Sequence, residues 1–152
     1  MYQALLFLHS FFRWLVVLSL LLAIYRAYSG YISGRKFSNI DNITRHGTAT
    51  IAHIQLIIGI VLYYESPVTG YFWKKPREAW SYFDISFFAI VHLLLMLTAI
   101  ILITVGSALA KRQGTDKEKF RIMLTWFLIA FTIIFIAIPW PFSPLVSRPM
   151  IR

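Results

Sequence analysis

The chain has 152 residues, is 59% hydrophobic and carries a net charge of +9, with no cysteine. The lack of cysteine excludes disulfides, iron–sulfur ligation and c-type haem attachment. An ordinary soluble domain is about 45–50% apolar. Here the excess gathers in four long blocks, which predicts an integral membrane protein with short connections and no separate soluble domain.

The first block runs from about Ala4 to Tyr25. It has no basic leader and no small-residue cleavage site, so it is expected to be a retained helix and not a signal peptide. The connection YSGYISGRKFSNIDN holds Gly30, Gly34 and a capping-box pattern from Ser38 to Asp41. The second block covers about Gly47 to Tyr64. The aromatic stretch ESPVTGYFWKKPREAWSYFD follows, and is expected to lie along the membrane interface with Trp73 and Trp80 at headgroup level. The third block is about Ile85 to Ala110, then comes the charged turn KRQGTDKEKFR, and the fourth is about Ile122 to Ile138. In PWPFSP, Pro139 and Pro141 cannot continue the last helix. About 20 residues cross a bilayer core of roughly 30 Å, and every block is near that length. The blocks do not alternate as barrel strands do. The expected fold is all-α: one four-helix up-down transmembrane bundle over residues 1–152, without internal repeats.

Orientation follows the basic residues. Arg26, Arg35, Lys36, Arg45, Lys111, Arg112, Lys117, Lys119 and Arg121 put nine on one side. Lys74, Lys75, Arg77, Arg148 and Arg152 put five on the other. The first and third connections are therefore expected to be cytoplasmic, with both termini outside. Charge confined to such loops suits a membrane surface and not nucleic acid.

Ionisable groups inside a span are costly and mark function by default. The spans hold four: His9 and Arg13 in the first, His53 in the second and His92 in the third. His9 and His92 each lie about 12 Å from the outer surface, and His53 about 18 Å down. In an up-down bundle the first and third helices are diagonal, so His9 and His92 are expected to face each other across the core. Helix tilt could instead bring His53 level with His92. Two facing imidazoles can ligate a haem iron. Ala89, His92, Met96, Ala99, Ile103 and Gly106 form one stripe whose small members leave room for a flat macrocycle, or simply let helices pack closely. Arg13 sits one turn below His9 on the same face, too deep to snorkel out. With no acid inside any span, its partner is a backbone carbonyl, water, Gln55 or a bound group such as a propionate or a quinone carbonyl. His46 lies at the membrane surface; it shares a face with His53, but a second haem there lacks a partner ligand.

Rival chemistries are weaker. His92 and Met96 make a soft pair for Cu(I), whereas zinc commonly recruits a carboxylate or thiolate and none is inside. Ser10 faces about 100° away from His9 and has no acid partner, and there is no Gly-rich phosphate loop.

LHSFFRW, IAHIQLIIGIVLYYESP and VHLLLMLTAIILITVGSALAKR resemble a group of small four-helix bacterial membrane proteins of the Bacteroidetes type labelled cytochrome B. The resemblance covers most of the chain. It implies a haem b protein of the bacterial inner membrane taking part in electron transfer, with His9, His53 and His92 the matching positions. The chain also looks, more distantly, like four-helix membrane b-type cytochromes, which often place ligands on helices one, two and four; here the fourth helix has no histidine. The four-helix protoporphyrinogen oxidases share an early histidine, but their Leu-Pro-Arg motif is absent.

The expectation is thus a haem b-binding electron-transfer protein, ligated by two of His9, His53 and His92, with Arg13 holding the cofactor or a quinone headgroup. Its partners would be the bilayer, quinone and a membrane protein or second copy. The competing readings are a non-enzymatic accessory subunit with structural histidines and a proton- or quinone-handling carrier without haem.

Overall fold

The structure is a computed structural model, and it describes residues 1–143 and 145–149. Pro144 of the terminal proline run and Arg152 of the charge count lie outside the described residues. The helices are α1 (Tyr2–Ser33), α2 (Asn39–Glu65), α3 (Pro67–Lys74), α4 (Pro76–Ala79), α5 (Phe83–Ser86), α6 (His92–Arg112) and α7 (Asp116–Ala137). A π-helical segment, Phe87–Val91, joins α5 to α6 without a break. Among the described residues there is no strand.

Four helices are long and apolar enough to cross a membrane: Tyr2–Ser33, Asn39–Glu65, Phe83–Arg112 and Asp116–Ala137. A helix in lipid satisfies its own backbone, and the side chains complete the environment. Leu22 on α1, Ile57 on α2, Ile101 on α6 and Ile136 on α7 all point outward and are more than half exposed. Apolar surface on every long helix is what a lipid-facing exterior requires. The chain is therefore an all-α four-helix bundle compatible with a multi-pass membrane protein.

Around the bundle the order is α1, α2, α6, α7 and back to α1, so α1 lies diagonal to α6. The α6–α7 and α1–α2 seams are the most extensive, and the α2–α6 seam is the sparsest. Small residues let the tight seams close. Ala23, Ala27 and Gly30 on α1 are buried, and a Cβ at Gly30 would sit 2.4 Å from the Phe120 ring. Phe120, Met123 and Phe127 of α7 fill the centre with no exposed surface.

Helix ends follow local chemistry. α1 runs about 48 Å and stops at Gly34, whose φ of 64° is the left-handed conformation that glycine adopts without a Cβ clash. The expected capping box forms: Ser38 Oγ accepts from the Asp41 N–H, and Asp41 accepts from the Ser38 N–H. Asp41 is fully buried and also pairs with Arg26 at 2.8 Å and Arg35 at 2.6 Å. One carboxylate thus ties the end of α1 to the start of α2. The aromatic connection after α2 folds into α3, α4 and α5, with Trp73 and Trp80 exposed.

Candidate functional site

The site begins with the way α7 stops. In a continuing helix the Phe135 and Ala137 carbonyls would accept from residues four further on, which are Pro139 and Pro141 and have no N–H. Ile138 turns to extended backbone and leaves both carbonyls open. The Trp140 indole N–H donates to Phe135 O at 2.8 Å. The His92 ring takes the other, with Nδ1 3.0 Å from Ala137 O. A carbonyl only accepts, so Nδ1 carries the proton and Nε2 keeps its lone pair.

His92 is aimed by the π segment. Its backbone N–H donates to Phe87 O, five residues back, in place of the usual four. Such a bulge turns the following helix face and recurs at functional sites. Phe87 and Ala89 are fully buried by it. The Tyr63 hydroxyl of α2 donates to Ala89 O at 3.0 Å and accepts from the Trp73 indole at 2.8 Å. Tyr63 thus bonds the segment directly, and Trp73 holds Tyr63 in place.

His9 faces His92 across the diagonal. Their ring centres are 6.4 Å apart and the ring planes meet at 66°. Gln55 of α2 holds His9: its Nε2 donates to His9 O at 3.0 Å and lies 3.2 and 3.3 Å from the two ring nitrogens. Gln55 Oε1 is buried with no hydrogen-bond partner among the described residues. Gly59 makes room for the ring, since a Cβ there would lie 3.3 Å from His9 Cε1.

These side chains line one cavity of about 180 Å³, which runs along the sparse α2–α6 seam toward Tyr2 and Pro149. A single water needs about 10–15 Å³, so this is far more than the gaps of a packed interior. His9, Arg13, Gln55, His92 and Met96 lie on its wall, and Arg148 is at its end. The Arg13 guanidinium is 6.0 Å from the Trp14 ring centre. Arg148 pairs with Asp84 at 3.2 Å and lies 5.4 Å above the Phe88 ring. The chemistry on offer is two imidazoles and two guanidiniums in an apolar chamber that opens between helices.

Of the four residues singled out in the spans, His9, Arg13 and His92 share this cavity and His53 does not. His53 is exposed on the outer side of the bundle, with Nε2 2.9 Å from Thr104 Oγ1. His46 is exposed as well. The reason is helical phase. The inward face of α2 carries Thr48, Ala52, Gln55, Gly59 and Tyr63, at spacings of three and four. His53 is two residues from Gln55, about 200° around the helix. Among the described residues no three His, Asp or Glu groups gather as a metal site. Gly59, Tyr63, Arg148 and the π segment join the site without having been foreseen. The run of small and polar residues on α2 is the signal that points to Gly59 and Tyr63. No family model, curated protein or solved structure matches the chain.

Proposed function

We propose that the chain binds haem b between His9 and His92 and passes electrons within a bacterial inner membrane, exchanging them with quinone or a partner membrane protein. One observation carries the reading. Two imidazoles presented to each other from facing helices would hold a haem iron. The His9 and His92 centres are 6.4 Å apart on diagonal helices.

The donor chemistry fits the group. His92 offers Nε2 because Ala137 O holds the proton at Nδ1, the backbone support usual for a ligating imidazole. Gln55 and Gly59 fix the place of His9. Arg13, and Arg148 in its pair with Asp84, lie on the wall where acidic side chains of the macrocycle would be held. Apolar walls exclude water and set the potential. When bound, haem b supplies a one-electron couple that the side chains themselves lack. The excess of basic residues around the α1–α2 and α6–α7 connections supports placing those connections in the cytoplasm and both termini outside.

The test is a reduced-minus-oxidised visible spectrum of chain expressed with ample haem. Sharp b-type α and β bands at one haem per chain are expected. His9→Ala and His92→Ala should each abolish them, and His53→Ala should leave them intact. A flat spectrum would sink the proposal. The unpartnered Gln55 Oε1 favours a second reading, a quinol site without haem, since a quinol hydroxyl would donate to it. In that case the spectrum is flat while a soluble quinol analogue still raises the unfolding temperature.

A further inference from the structure

We propose that a second pocket, at the opposite end of the bundle, holds the phosphate of an anionic phospholipid. It has a volume of about 240 Å³ and is lined by Phe37, Ser38, Asn39, Asn42, Lys111 and Lys119. It lies where the α1–α2 connection meets the end of α6 and the start of α7, and it is independent of the haem reading.

Its wall sets donors beside the Phe37 ring. Arg45 Nη2 donates to Asn42 Oδ1 at 2.7 Å. The oxygen of that amide is thereby occupied, and its NH2 remains to donate elsewhere. Arg45 itself is only 5% exposed. Its Nη1 donates to Ser107 O at 2.8 Å and to Ser107 Oγ. Among the described residues no carboxylate pairs with it. A buried cation without a counter-ion is costly, and Asn42 links it directly to the pocket wall.

The nearby acids do not repel an anion. Asp41 is fully buried and neutralised by Arg26 and Arg35. Asp116 accepts from Lys119 at 3.2 Å and is thereby neutralised in turn. Lys111 is exposed and makes no ion pair among the described residues. The exposed Lys111 ammonium, the Lys119 ammonium shared with Asp116 and the oriented Asn42 amide are the groups that would meet a phosphate. The surroundings select a lipid over a free ion: Ile40 and Ile43, on the same turns as Asn39 and Asn42, are both 60% exposed and offer an apolar track for acyl chains. Basic pockets between transmembrane helices commonly take acidic headgroups.

The test titrates the full chain in dodecyl maltoside with dioleoylphosphatidylglycerol or dioleoylphosphatidylcholine and counts retained lipid by native mass spectrometry. One phosphatidylglycerol per chain and no phosphatidylcholine are expected. Lys111→Ala with Lys119→Ala should weaken retention about thirtyfold, while Lys74→Ala with Lys75→Ala, an equal charge loss at the other end, should not. Asn42→Asp gives Arg45 a carboxylate, so it keeps the fold by circular dichroism yet should lose the lipid. Full retention by either pocket variant overturns the proposal, as does equal loss from the Lys74 and Lys75 control. Equal stabilisation by inorganic phosphate alone overturns the lipid assignment.

Discussion

Replacing Gly106 by Ala tests whether the α6–α7 seam closes as tightly as described. A Cβ at Gly106 would fall 2.3 Å from Trp126 Cβ and 2.8 Å from Trp126 Cγ. Ordinary carbon contacts are about 3.5–4.0 Å, so the overlap exceeds about 1 Å. Trp126 Cβ is fixed to its own backbone and cannot rotate away, so the helices must part. Overpacking of this kind costs about 1–3 kcal/mol, and a backbone-level clash belongs at the upper end. Alanine recovers about 1 kcal/mol through helix propensity. The net loss is about 2 kcal/mol, or about thirtyfold in the unfolding equilibrium. Gly47→Ala is the control. Nothing lies within 4 Å of a Cβ there, so only the propensity gain of up to about 1 kcal/mol applies. Unfolding in mixed micelles of rising SDS content, followed by tryptophan fluorescence, reads both. The two variants should move in opposite directions. Gly106→Ala as stable as the parent, or Gly47→Ala losing as much, would refute the reasoning.

Three further outcomes are expected. Gly59→Ala brings a methyl to 3.3 Å from His9 Cε1, so it should shift the ring by a few tenths of an ångström and, under the proposed haem reading, lower haem retention severalfold, read from the Soret absorbance per chain. Pro139→Ala with Pro141→Ala lets α7 reclaim the Phe135 and Ala137 carbonyls, and under the proposed haem reading loss of that outer support for His92 should weaken affinity about 10–100-fold in haem titrations. The Glu78 carboxylate accepts from the Tyr71 hydroxyl and pushes its pKa up to about 12. Glu78→Gln removes that charge, so Tyr71 should ionise at lower pH in an ultraviolet titration; an unchanged curve would show that the contact does not form.

The sequence made the long helices legible because lipid imposes a simple demand, about twenty apolar residues without a break. The Ser38–Asp41 cap was equally plain, since its chemistry is local. His9 and His92 were readable as a facing pair because similar depth and diagonal helices follow from up-down order alone. His53 shows where depth reasoning runs out. Depth places a residue along the helix axis and says nothing of its azimuth, which the small and polar residues of α2 decide. The π segment had no signature, because FFAIV is as apolar as its neighbours; a tyrosine 26 residues earlier, Tyr63, supplies the bond that holds it. Arg148 was hidden for the same reason, as its place depends on where the chain returns after α7.

The proline pair after α7 leads to a consequence for chain length. Because Ala137 O is open only where the helix stops, inserting or deleting one residue between Ala137 and Pro141 would change which carbonyl is left without a donor. The spectroscopic state of a ring on α6 would then follow the reading frame of a terminal loop on α7. Variation in that short segment is therefore a means of tuning the electronic character of His92 without altering any residue that lines the cavity beside it.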